Sequence, residues 1–213
     1  ISTSGNLIYL LLKQRESGVV KLLKVGKSDL KPAGELVVLP AVDFIAAVSD
    51  KLLYAANAGK VWKINPVDGS AQELILPGIE KITAISSDNN GRLLVMDSGR
   101  DQQIKAFEDG RQIYACAKKG GRAIRGDFDE QAVREVRSIA ADAKGNVWAV
   151  ENWNYPRRVS VWNPSDGKLV RDYIGNTGYS GTGTYLHNTD PTLAYVGPIE
   201  MKLNKKDRTW KVT

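Results

Sequence analysis

The sequence predicts an all-β protein, a β-propeller of four-stranded blades, on three observations. Short apolar runs rich in Val, Ile, Leu, Tyr and Trp recur between turns such as Asp68-Gly69, Asn90-Gly91, Asp109-Gly110 and Asp166-Gly167. One pattern occurs twice, as Ile85-Ser-Ser-Asp88-Asn-Asn-Gly91-Arg-Leu-Leu-Val-Met96 and as Ile139-Ala-Ala-Asp142-Ala-Lys-Gly145-Asn-Val-Trp-Ala-Val150. With Ile8, Leu53, Leu94, Trp148 and Ala194 taken as equivalent, the intervals are 45, 41, 54 and 46 residues, the period of a repeated blade.

The units follow in order. The first is a weak copy around Leu7-Ile-Tyr-Leu10. The second has strands at Lys51–Tyr54 and Lys60–Ile64 and a turn at Asn65–Gly69. In the third, an Asp88-x-x-Gly91 turn joins two apolar strands, and strands at Gln103–Phe107 and Gln112–Ala115 follow. The fourth repeats this around Asp142-x-x-Gly145, with Val159 and Val161 on one strand, a turn at Asn163–Gly167 and Leu169 on the next strand. Trp162 is expected to pack between blades. The fifth is a weak copy around Leu193–Val196. The long interval places an insertion from Ala117 to about Val136, where Asp129–Val136, "DEQAVREV", predicts one short helical turn. Residues 1–213 read as a single propeller domain, a piece of a larger protein. Five units fit either a five-bladed closure or part of a six-bladed ring.

The chain carries 30 basic and 24 acidic residues, a net charge of +6. Basic residues are spread throughout, so no nucleic-acid partner is expected. The densest basic run, Lys118-Lys119-Gly-Gly-Arg122-Ala-Ile-Arg125, is followed by Asp127, Asp129 and Glu130. It predicts a solvated, mobile loop with Lys118, Arg122 and Arg125 outside the core, the alternative being a polyanion contact. Insertions in repeat proteins map to one face, and that face often binds. No apolar run approaches the roughly 18 residues of a membrane helix, so no membrane span is expected. A targeting segment, if the protein has one, is expected to have been removed or to lie outside this sequence. Cys116, the lone cysteine, reads as a small buried or half-buried side chain.

Chemistry concentrates in Glu151-Asn-Trp-Asn-Tyr-Pro-Arg-Arg158. Its aromatics and charges exceed what a turn requires, which makes Glu151, Asn152, Trp153, Tyr155, Arg157 and Arg158 candidate binding residues, with Arg122 and Arg125 of the insertion beside them. With one histidine, His187, and one cysteine, a His- or Cys-based zinc site is excluded. His187 in "LHNTDP" reads as a polar turn residue. There is no G-x-S-x-G elbow, P-loop, dinucleotide fingerprint or haem-attachment motif. No cofactor, resident metal or catalytic residue is expected.

The third and fourth units, "SSDNNGRLLVMDSGRDQQIKAF" and "AADAKGNVWAVENWNYPRRVSVWNPSDGKLV", resemble the NHL-type propeller repeat. Gly120 to Val212, with "GGR", "RRVSVW" and a final Trp-Lys-Val in that order, is similar to propeller domains of large secreted or envelope-associated bacterial proteins. The resemblance implies a non-catalytic binding module, extracellular or in the cell envelope. It would bind a protein or a small anionic or carbohydrate ligand and associate with other chains or domains. The alternative from another class is the gluconolactonase-like propeller, a divalent-cation-dependent hydrolase. That family sets an Asn and an Asp ligand just before its innermost strands. Counting back from Asp142 and Asp88 puts Arg137 and Thr83 at those places. A guanidinium repels a cation, and only Asp43, Glu80 and Glu135 are left as substitutes. Arg137 favours an anionic or carboxylate-bearing partner, or an ion pair with Glu135 or Glu151.

Overall fold

A computed structural model describes residues 1–123, 128–152, 157–175, 184–196 and 199–213. The strands fall in chain order into five four-stranded antiparallel sheets. The first holds β1 (Ser2–Ser4), β2 (Leu7–Lys13), β3 (Val20–Gly26) and β4 (Val37–Leu39). The second holds β5 (Phe44–Ala47), β6 (Leu53–Ala56), β7 (Val61–Ile64) and β8 (Ala71–Leu74). The third holds β9 (Ile82–Ser87), β10 (Leu93–Asp97), β11 (Gln103–Glu108) and β12 (Arg111–Cys116). The fourth holds β13 (Val136–Ala141), β14 (Val147–Glu151), β15 (Arg158–Trp162) and β16 (Leu169–Ile174). The fifth holds β17 (Thr184–Leu186), β18 (Leu193–Val196), β19 (Ile199–Asn204) and β20 (Thr209–Val212). The five positions read as equivalent in the sequence lie on β2, β6, β10, β14 and β18, the second strand of each sheet.

The chain divides into two compact units, one of residues 1–153 and 158–174, the other of 154–157 and 175–213. In the larger unit, β1 lies against β5, β5 against β9 and β9 against β13, so the first strand of each sheet is the innermost. Successive side chains of a strand point to opposite faces, and β10 shows the consequence. Leu93 and Val95 pack towards the second sheet, Leu94 and Met96 towards the fourth, and all four are buried. Three cores result, between the first and second, second and third, and third and fourth sheets. Trp162 is sealed in the last of these, its indole N–H donating to Ser160 Oγ at 2.9 Å. Cys116 lies in the same core, where burial pushes its thiol up to about 12, so it is not a nucleophile at neutral pH.

The repeated Asp-x-x-Gly turns close the β9–β10 and β13–β14 hairpins. Asp88 Oδ1 accepts the N–H groups of Asn90 and Arg92 at 2.9 Å each. Asp142 Oδ1 accepts those of Lys144 and Asn146 at 2.9 and 3.0 Å. Gly91 and Gly145 have φ of 75° and 85°, the left-handed conformation that costs glycine least. Of Asp129–Val136, where one short helical turn was expected, only Glu130 and Gln131 form a turn, closed by the Ala132 N–H on the Asp129 carbonyl at 3.2 Å, and Glu135 takes a φ of 49° just before β13. In the smaller unit, His187 caps its own turn, Nδ1 accepting the Asp190 N–H at 3.1 Å. Among the described residues no helix is long and apolar enough to cross a membrane.

Candidate functional site

Glu151 ends β14 and Arg158 begins β15, and antiparallel register sets them directly opposite each other. Neither side chain has exposed surface. Glu151 Oε2 accepts Arg122 Nη2 at 2.8 Å and the Arg134 backbone N–H at 2.9 Å, while Oε1 lies 3.4 Å from Arg158 Nη1. Arg158 also donates to the carbonyls of Ala132 and Glu130 and, through Nε, to Asp172 Oδ2 at 2.9 Å. The Phe128 ring stands 4.9 Å from the Arg122 guanidinium and 5.3 Å from that of Arg158. One carboxylate and two guanidiniums thus fasten the segment between β12 and β13 onto the fourth sheet.

This corrects three expectations. Arg122 is 4% exposed, not part of a solvated loop, because Glu151 draws its charge inward. Its backbone N–H is also held, by the Val133 carbonyl at 3.1 Å. Glu151 and Arg158 are strand residues sealed in the protein, not a loop surface. Lys118 does face solvent, paired with Asp129 at 2.7 Å. Asn152 is exposed and donates its N–H to the Glu135 carbonyl at 3.2 Å, and the Arg157 carbonyl accepts the Gly175 N–H at 2.8 Å. Trp153, Tyr155 and Arg125 lie outside the described residues.

The third sheet carries a counterpart that the sequence reading missed. Asp97 ends β10 as Glu151 ends β14, and its Oδ1 accepts the N–H groups of Glu80, Lys81 and Gly99 at 3.0–3.2 Å. Its Oδ2 takes Lys105 Nζ at 2.9 Å, and that ammonium also reaches Asp101 at 2.7 Å. Burial alone would raise the Asp97 carboxyl, but the Lys105 ammonium and three backbone N–H groups outweigh it and hold it below its ordinary value. In both sheets a buried acid at the end of the second strand grips the segment that enters the first. The signal was in the repeat: the residue after Met96 is Asp97, and the residue after Val150 is Glu151.

Against this frame opens a cavity of about 180 Å³, lined by Lys81, Thr83, Ser98, Gln102, Arg134, Glu135, Val136 and Arg137. The pair singled out by position, Thr83 and Arg137, does meet here. Thr83 Oγ1 donates to the Val136 carbonyl at 3.1 Å and lies 2.7 Å from Ser98 Oγ. Arg137 stands 3.8 Å from Glu135, with 60% of its side chain exposed, and it also lines a second cavity beside β5 that Asp43, Phe44 and Ser138 share. Arg134 binds the Arg122 carbonyl through Nη1 at 2.9 Å. Three residues with cationic side chains, Lys81, Arg134 and Arg137, and one carboxylate, Glu135, line this space. Of the acids weighed as substitute cation ligands, only Glu135 lines the first cavity. Glu80 is engaged by Arg100, and Asp43 pairs with Lys13 at 3.4 Å. Among the described residues no three His, Cys, Asp or Glu side chains group so as to hold a metal ion.

No family model and no curated protein matches the sequence. Solved structures do match in fold. A Kuenenia stuttgartiensis hydrazine synthase chain aligns with 96% of this chain at 16% identity and a TM-score of 0.55. This chain spans 56% of that one. A chain of a nidogen/laminin complex aligns over 96% of this chain and 88% of its own, at 14% identity and a TM-score of 0.56. A catalytically inactive virginiamycin B lyase from Staphylococcus aureus, solved with quinupristin, aligns over 99% and 71%, at 16% identity and a TM-score of 0.50. At these identities the likeness is one of architecture: the chain is a β-propeller of four-stranded blades.

Proposed function

We propose that this chain is a non-catalytic, NHL-like binding module of a larger secreted or envelope-associated protein or assembly. The observation that carries the reading is the lining of the inner-strand cavity. Its cations outnumber its acids, and its one carboxylate, Glu135, faces Arg137. A general base must reach substrate unencumbered, and the strongest nearby candidate, Glu151, is sealed between two guanidiniums. The fold does not choose between binding and catalysis, since its solved relatives include a synthase, a lyase and a chain from a protein complex. Asn152, which is exposed, and Trp153, Tyr155, Arg157 and Arg125 are the residues assigned to a protein partner.

The cation-dependent hydrolase reading is weaker because Arg137 occupies the place of a ligand and would repel the ion. Calorimetric titration with calcium and a lactone-hydrolysis assay on the whole chain decide between the two. Neither micromolar calcium binding nor turnover is expected. Both together would replace the binding reading with the hydrolase.

A further inference from the structure

We infer that the cavity between the starts of β9 and β13 binds a small carboxylate, with Arg137 and Lys81 as its cationic ligands. This deepens the binding-module reading and rests on it. Hydrogen-bond accounting at the site selects the ligand. Thr83 spends its hydroxyl hydrogen on the Val136 carbonyl, so the 2.7 Å contact to Ser98 must use the hydrogen of Ser98. Both hydroxyls are therefore consumed as donors. Gln102 likewise spends its amide N–H groups on the carbonyls of Ser98 and Gly99, at 2.8 and 3.1 Å, while its Oε1, an acceptor, is buried without a hydrogen-bond partner. Arg134 is engaged with the Arg122 carbonyl at 2.9 Å, and the other donors that face a ligand are the Lys81 ammonium, which has no carboxylate partner among the described residues, and the Arg137 fork.

Two donor groups suit an anion with two oxygens. A phosphate would bring a third terminal oxygen and a second charge towards Glu135. The Glu135–Arg137 contact already shows which group this guanidinium pairs with, and at 3.8 Å between side chains 39% and 60% exposed it is weak and screened by solvent. An incoming carboxylate can displace it and gain the two-point geometry that Glu135 does not reach. The cavity, about 180 Å³, is far larger than the roughly 10–15 Å³ that one water needs. A short organic acid fits such a space, or the free terminus of a peptide entering end-on.

The test titrates the whole chain at low ionic strength with acetate, succinate, inorganic phosphate and a tripeptide bearing either a free or an amidated C-terminus. Heat and the arginine side-chain NMR signals are followed. Saturable carboxylate binding is expected, weakened about tenfold or more by Arg137→Gln and by Lys81→Gln and unchanged by Lys60→Gln on β7's flank. Preference for the free-terminus peptide over succinate identifies a chain end as the source, and the reverse identifies a free acid. Phosphate binding more tightly than either carboxylate overturns the ligand class. An Arg137→Gln variant that melts like the parent and binds equally well overturns the site. Failure to bind carboxylate without lactone turnover sinks this inference alone, whereas turnover sinks the binding-module reading beneath it.

Discussion

Glu151 concentrates two guanidiniums and a backbone N–H on one carboxylate with no exposed surface. A buried pair is costly to assemble and more costly to break, because the survivor is left charged and unpaired. Here two arginines would be stranded, and Arg122 Nη1 is already buried without a hydrogen-bond partner. Glu151→Ala should therefore destabilise the protein by about 3–5 kcal/mol, read as a lower midpoint in urea. Hydrogen exchange of the same variant should speed at the amides of Lys118, Gly120 and Arg122, which are bonded to the carbonyls of Gln131, Asp101 and Val133. Protection unchanged at those three amides would show that the ionic cluster does not hold the segment. The charges of Arg122, Glu151 and Arg158 were legible in the sequence but their burial was not. Residue types at a turn say nothing of what lies above them, and only the pairing register of β14 with β15 sets Glu151 against Arg158.

At the scale of the element, the Asp-x-x-Gly hairpins were the most readable feature, because the turn needs both a side-chain acceptor and a positive φ. Asp142 shows how much one turn collects. Its carboxylate accepts Trp148 Nε1 at 2.9 Å and Asn146 Nδ2 at 3.0 Å besides its two backbone partners. Led by the indole N–H, these bonds lower its pKa to about 2. A carboxyl whose folded pKa lies below its unfolded value near 3.9 stabilises the fold above that unfolded value. The contribution fades as pH falls towards 2. The urea midpoints of the parent and Asp142→Asn should thus differ most at pH 5–7 and converge as the pH approaches 2. A difference independent of pH would mean that the turn depends on shape and not on the charge of Asp142. The segment between β12 and β13 was less readable, since good helix formers at Asp129–Val136 were overridden once Ala132 and Val133 were drawn into full burial.

On the scale of the whole molecule, the period of the hydrophobic pattern was enough to locate all five sheets, because each blade alternates apolar residues on both faces and must pack on both. The cavity was not located that way. Lys81, Ser98, Gln102 and Arg134 come from different loops and strand starts, and no local spacing joins them. The same two-faced packing predicts how the larger unit fails. Each core is shared by only two neighbouring sheets, so stability should behave as a chain of nearest-neighbour interfaces. Trp162 is fully buried between the third and fourth sheets, and Trp162→Ala should cost about 3–5 kcal/mol. That loss should be local at first. In native-state hydrogen exchange, amides of β14 and β15 should open at lower free energy than in the parent, while those of β3 and β6, which serve the core of Tyr9, Leu22 and Leu53, keep theirs until global unfolding. Equal loss of protection in all four sheets would instead make the four-blade unit a single cooperative block, in which a defect at one interface is felt at every other.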